Sequence, residues 1–229
     1  MTEHELTAKA ALRALDRPPE GGAQGRLGLV AARAGTGKTA LLVQLGLDAL
    51  LRGLPVLHVA VGETLAHVKR WYDGVYRDLA VSLSAAEARA VWERLEPRRL
   101  LMAFRAEAFT AERLVDRMRL LEAQGVFAPR VLAVDGLALE PELRDAAETL
   151  GRLAAERGLD VWLAARTPDE NGDVDREAAA TVGLCALAVA LEPRGDGVAL
   201  RWLRAPSGAV PRLRLDPGTL LVRPAERAT

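Results

Sequence analysis

Apolar residues along the chain fall into two kinds of segment that alternate. Short continuous apolar runs predict buried strands, and longer segments whose apolar residues recur every three or four positions predict amphipathic helices. The predicted strands are 27–31, 56–61, 99–104, 130–135 and 160–165, and the predicted helices between them are 40–52, 64–79, 84–95, 110–124 and 140–157. Because the strands are nearly all apolar, the pattern predicts an α/β fold in which helices cover both faces of a mostly parallel central sheet.

The pattern changes after residue 166. Shorter apolar runs at 183–191, 198–204, 212–215 and 219–222 are separated by turn-forming residues. Residues 194–197 read Arg-Gly-Asp-Gly, which predicts a hairpin turn between two of these runs. We therefore expect antiparallel strands at the end of the sheet.

The first residues form a separate unit in the pattern. Leu6, Leu12 and Leu15 recur at roughly helical spacing, and the Pro- and Gly-rich stretch 17–22 interrupts that spacing. The sequence predicts an N-terminal amphipathic helix with a linker at 1–21 and one domain at 22–229. So short a helix is not stable alone, so it packs either on its own domain or on a neighbouring subunit.

A candidate phosphate-binding loop lies between the first predicted strand and the next helix. Residues 32–39 read Ala-Arg-Ala-Gly-Thr-Gly-Lys-Thr. The two glycines allow a tight turn whose N–H groups face an anion, the Lys side chain reaches the β- and γ-phosphates, and the last Thr ligates Mg²⁺. The predicted nucleotide contacts in this loop are Ala34, Gly35, Thr36, Gly37, Lys38, Thr39 and Ala40. The alternative is a glycine-rich turn without a ligand, and Ala32 replaces the first glycine of the usual pattern.

Three further candidates follow predicted strands. Asp135 ends an apolar strand, where a carboxylate would hold Mg²⁺ together with Thr39. Glu63 follows the second strand and would polarise the attacking water, although a surface Glu at a helix start is the simpler alternative. Arg166 follows the fifth strand and would contact the γ-phosphate. Arg204, on a late apolar run, would stabilise the transition state from an adjacent subunit, although it is one of many arginines.

Composition restricts the partners. The formal net charge is zero, so no overall field attracts nucleic acid or a membrane. Aromatic residues are only 4% of the chain, and residues 167–177 are net acidic, which disfavours a nucleic-acid contact there. The chain has a single cysteine, Cys185, so an internal disulfide is excluded. Cys185 lies in an apolar run and is expected to be a small residue of the core. No signal pattern or bilayer-length apolar run is present, so a cytoplasmic location is expected.

The loop at 32–39, the strand that ends at Asp135 and the tail at 200–217 together resemble the RecA-like P-loop ATPase core, especially its KaiC-type and DnaB-type branches. The resemblance covers roughly residues 22–223 and implies a three-layer fold and homo-oligomers that hold ATP between subunits. It also implies that Arg204 occupies the position of a basic finger. Two positions depart from the family: Gly62 stands where the catalytic glutamate is expected, with Glu63 matching the second of two adjacent glutamates, and Pro206 replaces a second basic residue.

These observations predict an Mg-ATP-binding ATPase that hydrolyses ATP slowly in an oligomer and regulates or assembles a protein partner. One alternative is a DNA-dependent motor or recombinase-like accessory factor, which the acidic segment after Arg166 disfavours. A second alternative is a module that binds ATP without hydrolysing it. A GTPase is disfavoured because no Asn-Lys-x-Asp motif follows the fourth strand.

Overall fold

The computed structural model describes residues 12, 15, 25–138, 141–167, 179–195, 197–205 and 212–225. The strands in this part of the chain are β1 (Leu27–Ala32), β2 (Val56–Val61), β3 (Arg99–Phe104), β4 (Val131–Ala138), β5 (Asp160–Arg166), β6 (Leu187–Arg194), β7 (Gly197–Arg204), β8 (Leu213–Leu215) and β9 (Val222–Pro224). The helices are α1 (Lys38–Leu51), α2 (Leu65–Leu79), α3 (Ala85–Leu95), α4 (Ala111–Ala123) and α5 (Pro141–Arg157), with short 3-10 turns at Glu96–Arg98 and Ala106–Ala108.

The strands form one sheet in the order β3-β2-β4-β5-β1-β6-β7-β8-β9. The strands from β3 to β6 in this order pair in parallel, and β7, β8 and β9 continue the sheet with antiparallel pairing. The predicted mixed α/β fold, with a mostly parallel sheet and an antiparallel end, is therefore confirmed. The carboxyl ends of the six parallel strands meet at one edge of the sheet, where α/β proteins bind ligands.

Alternate residues of each strand pack on opposite faces of the sheet. Val30 and Trp162 belong to a core cluster that includes residues of α1, α2 and α3. Leu29 and Leu163 belong to a second cluster that includes residues of α4 and α5. Helices thus bury both faces, which explains why the central strands are apolar at nearly every position.

Signals at the helix ends have the expected structural consequences. Ser84 and Glu87 form a reciprocal capping box at the start of α3. Gly53 follows α1 with φ of 80°, a left-handed conformation that suits glycine after a helix. Sequence pattern alone therefore located these two boundaries.

Three predicted strand limits are wrong. β4 does not stop at Asp135 but continues to Ala138 after a register shift. The run at 183–191 begins with a turn, in which Cys185 N–H bonds to Val182 O, so β6 begins only at Leu187. The last strand is Val222–Pro224 instead of 219–222, because a turn that begins at Asp216 occupies the preceding residues.

Only two of the first 24 residues are described, and both are buried. Leu12 and Leu15 belong to the core cluster that contains α1, and Arg26 Nη1 donates to Leu15 O at 3.4 Å. These two leucines pack on their own chain; the rest of the predicted N-terminal helix and linker lies outside the described residues. Within the described part, no helix is both long enough and apolar enough to span a bilayer.

Candidate functional site

The loop between β1 and α1 has the backbone geometry of an anion-binding turn. Gly35 and Gly37 have φ values of 73° and 103°, in the left-handed region that glycine adopts without strain. No side chain caps the start of α1 at Gly37. The first N–H groups of α1 and the positive end of its dipole are therefore free of a side-chain acceptor, as phosphate binding at a helix N-terminus requires.

Lys38 is folded back over this loop. Its Nζ donates hydrogen bonds to Ala32 O at 2.9 Å and to Arg33 O at 2.6 Å. Burial lowers the pKa of Lys38, the negative charge of Asp135 opposes that shift, and the positive charge of Arg166 adds to it. An anionic oxygen in the loop would be a stronger acceptor for this ammonium group than the two neutral carbonyls.

Thr39 and Asp135 join α1 to the end of β4. Thr39 Oγ1 donates to Asp135 Oδ2 at 2.6 Å, although the two residues are far apart in the sequence. Asp135 is 8% exposed. Burial raises its pKa, whereas the bonds from Thr39 and from the backbone of Gly136 and the charge of Lys38 lower it. The carboxylate is thus removed from water and has a cation and two donors around it.

Gly136 is required beside this carboxylate. Its φ is 95°, and a Cβ at this position would lie 2.2 Å from Val61 O. A larger residue would push β4 away from the end of β2 and displace Asp135. The need for glycine at position 136 was not predicted, although the Asp-Gly pair at a strand end was a signal for it.

The donors present are suitable for Mg²⁺. A hydroxyl and a carboxylate are hard oxygen ligands, and protein sites for Mg²⁺ usually supply one or two such ligands and leave the rest to phosphate oxygens and water. Among the described residues, no group of three or more His, Cys, Asp and Glu side chains is placed to hold a metal ion alone. Thr39 and Asp135 would therefore hold Mg²⁺ together with a bound phosphate.

Glu63 and Arg166 lie at the same edge of the sheet. Glu63 is exposed, directly after Gly62, and its charge raises the pKa of Asp135. Arg166 is exposed at the end of β5, in register with Ala32, and its charge acts on Lys38. Both side chains are thus near the loop, and their predicted contacts with water and the γ-phosphate stay predictions.

Arg204 lies at the opposite edge. It pairs with Ala188 near the start of β6, and β6 begins in register with Gly28 near the start of β1. Its Nη1 donates to Gly183 O at 2.7 Å. At about 3.3 Å per strand residue, Arg204 is more than about 10 Å from the loop of its own chain. The structure does not bring it to the other site residues, and a role in a neighbouring subunit stays a prediction.

Two further buried polar groups near the loop were not predicted. Thr167 Oγ1, just past Arg166, is buried and has no hydrogen-bond partner within the described structure. Gln44 is buried in α1 and bonds to Leu220 and Val222. A polar residue in the middle of the apolar helix Lys38–Leu51 was the available signal for Gln44.

No protein-family model matches the sequence, and no curated protein is significantly similar to it. The candidate nucleotide site is therefore inferred from the geometry of Lys38, Thr39 and Asp135 and from the turn that contains Gly35 and Gly37.

Proposed function

We propose that this chain is a RecA-like P-loop ATPase that binds Mg-ATP in the loop at 33–39. The observation that carries the proposal is the bond from Thr39 Oγ1 to Asp135, directly beside the lysine of the loop. A glycine-rich turn without a ligand requires neither a buried carboxylate nor a buried lysine next to it. Both are expensive to bury, and a bound Mg-phosphate would give each an opposite charge.

The side chains at this edge suit distinct parts of ATP. Backbone N–H groups of the loop and the start of α1 would hold the β-phosphate, and Lys38 would bridge the β- and γ-phosphates. Thr39 and Asp135 would hold Mg²⁺, which supplies charge neutralisation of the phosphates. Arg166, at the adjacent strand end, would contact the γ-phosphate. The strand order β3-β2-β4-β5-β1-β6 supports the family proposal, because it places the end of β5 beside β1 and the end of β4 one strand further away.

Slow hydrolysis is the expected reaction. Water would attack the γ-phosphorus, ADP would leave, and Glu63 would orient the water and accept its proton. Gly62, which has φ of 75°, leaves only one carboxylate at this strand end. Arg204 would reach the γ-phosphate only from a second subunit. We therefore propose a homo-oligomer in which ATP lies between subunits and its state regulates a protein partner.

A non-hydrolysing ATP module is the second candidate. The observation that favours it is the position of Arg204, whose guanidinium group bonds to Val182 O and Gly183 O at the other edge of the sheet. If the subunits of an oligomer do not bring the Arg204 guanidinium group to a neighbour's phosphate, each chain holds ATP without a basic finger.

ATP binding by the purified protein tests the site. Lys38→Ala should weaken binding of Mg-ATP by at least about 100-fold, equivalent to about 2.7 kcal/mol. Lys69→Ala is the matched control because Lys69 is exposed on α2, and its affinity should equal that of wild type. Calorimetric titration of all three proteins measures the difference, and equal affinities for Lys38→Ala and wild type would refute the proposed site.

A further inference from the structure

Gln44 lies in the middle of α1, less than two turns after Lys38, and is only 2% exposed. Its amide makes three hydrogen bonds. Nε2 donates to Ala40 O at 3.1 Å and to Leu220 O at 2.8 Å, and Oε1 accepts from the N–H of Val222 at 2.8 Å. One buried side chain thus satisfies a donor and an acceptor of a segment near the end of the chain.

That segment, residues 216–222, is called the C-terminal turn below. Asp216 Oδ1 accepts hydrogen bonds from Gly218 N, Thr219 N and Thr219 Oγ1. Leu220 has φ of 56° and is the one non-glycine residue of the described structure with a positive φ. Such a conformation is unfavourable for a residue with a side chain and persists only where the surroundings hold it.

The C-terminal turn follows a strand that ends beside the phosphate-binding loop. β8 runs in the same direction as β1, because β6 is parallel to β1 and each of the next two pairings is antiparallel. Leu215, the last residue of β8, packs on the loop so closely that a Cβ at Gly37 would lie 2.7 Å from Leu215 Cδ1. The segment 215–222 therefore supports the loop at the glycine with the larger positive φ.

The strands around the C-terminal turn are too short to hold it firmly. β8 and β9 have three residues each and form the end of the sheet. Short pairings at a sheet edge are among the least stable parts of a fold. The bonds from Gln44 to Leu220 and Val222 attach this end of the sheet to the same helix that begins with Lys38.

We propose that Gln44 is a positioning residue for the nucleotide site. It fastens the C-terminal turn to α1, the turn keeps Leu215 against Gly37, and this contact holds the loop in its phosphate-binding conformation. The inference rests on the proposed function, because it assumes that the loop binds Mg-ATP. Its consequence is reciprocal: if the turn stabilises the binding conformation, bound nucleotide must stabilise the turn by the same free energy.

Hydrogen exchange with and without Mg-ATP tests this reciprocity. In wild type, Mg-ATP should slow exchange in the loop at 34–39 and also in the segment 216–224, including the N–H of Val222. Gln44→Met has nearly the same shape without the amide. It should lose the protection of 216–224 and should raise the KM for ATP about 10-fold, with kcat within about twofold of wild type. The reason is that a smaller fraction of the free protein has the competent loop.

Two further variants separate positioning from general damage. Leu215→Ala removes the contact with Gly37 but leaves the bonds of Gln44, and it should also raise KM; it decides the question if Gln44→Met fails to fold. Gln124→Met is the matched control, since Gln124 is exposed at the end of α4, and it should behave as wild type.

The outcomes distinguish this inference from the proposed function. If Mg-ATP protects neither segment in wild type, the proposed function fails. If Mg-ATP protects 34–39 but not 216–224, or if Gln44→Met and Leu215→Ala both retain the wild-type KM, the loop binds ATP and the positioning role of Gln44 is refuted.

Discussion

The two edges of the central sheet both carry charged side chains, but these side chains have different kinds of partner. At the carboxyl edge, Lys38 and Thr39 at the start of α1 interact with Asp135, which comes from a distant part of the chain. At the amino edge, a cavity of about 640 Å³ lies between α5 and the start of β6. Of its lining residues, Arg204 donates to the backbone carbonyls of Val182 and Gly183, and Glu148 pairs with Arg144 of its own helix.

This difference shows which features of the structure indicate a binding site. The cavity would also have directed attention to the amino edge. The carboxyl edge instead brings a lysine and a buried carboxylate from distant parts of the chain close together, and burial lowers the pKa of Lys38 and raises that of Asp135. Groups whose pKa values are shifted in this way concentrate at functional sites. The charged groups at the amino edge, including Arg26 paired with Asp160, have partners within the protein and are explained without a ligand.

The largest expected effect comes from the buried carboxylate. Asp135→Asn removes the charge that would hold Mg²⁺, so ATP turnover should fall by roughly 100-fold or more. Burial raises the pKa of Asp135, so its ionisation costs folded stability, and this cost appears as pH rises through the folded pKa. At pH 7 the nucleotide-free Asp135→Asn variant should therefore melt at or above the wild-type temperature.

Glu148→Gln is the matched change at the amino edge, where the side chain lines the cavity. It should leave turnover unchanged and should alter the melting temperature little, since an exposed ion pair contributes less than about 1 kcal/mol. Turnover assays and thermal melts measure both variants. An Asp135→Asn protein that is both fully active and less stable would mean that Asp135 is only a structural residue.

The next largest effect would join the two edges across a subunit boundary. Arg204→Ala and Glu63→Ala should each reduce ATP turnover by about 10-fold or more if Arg204 serves a neighbour's site. A mixture of the two impaired variants should recover turnover, because some interfaces combine an intact Glu63 with an intact Arg204. The recovery is measured as turnover against mixing ratio at constant total protein.

Arg201→Ala serves as the control for this experiment. Arg201 lies on the same strand as Arg204 but pairs with Glu192. Any turnover that Arg201→Ala loses should therefore not be restored by mixing it with Glu63→Ala. If mixing Arg204→Ala with Glu63→Ala restores nothing while each variant still assembles, the two edges do not meet and the trans role is wrong.

Much of this contrast was predictable from local sequence. Buried strands, helix ends and the turn at 33–39 depend on short-range patterns, so the parallel part of the sheet agrees closely with its prediction. The carboxyl-edge position of Asp135 followed from the rule that parallel strands end together. The hydrogen bond between Thr39 and Asp135 is consistent with this predicted position, which was inferred from the sequence pattern alone.

The remaining features depend on long-range packing. The start of β9 could not be predicted because the bonds of Gln44 and Asp216 extend the turn at 216–218 through the apolar residue Leu220, which the apolar pattern assigns to a strand. The need for Gly136 comes from the carbonyl of Val61 on a neighbouring strand. The distance of Arg204 from the loop depends on the direction of β7, and this direction could be known only from the order and pairing of all the strands.

The smallest expected effect is at Cys185, which lines the amino-edge cavity and is 1% exposed. Its thiol donates to Thr181 O, and burial raises its pKa to about 12. At pH 8 only about one thiol in 10,000 would be ionised, so a thiol reagent should label the folded protein very slowly and the unfolded protein rapidly.

Because the cavity is far from the phosphate-binding loop, Mg-ATP should not change the labelling rate beyond its effect on global unfolding, and Cys185→Ala should bind ATP as wild type does. Rapid labelling of the folded protein that Mg-ATP suppresses would show that the amino edge opens and responds to nucleotide, which would end the distinction between the two edges.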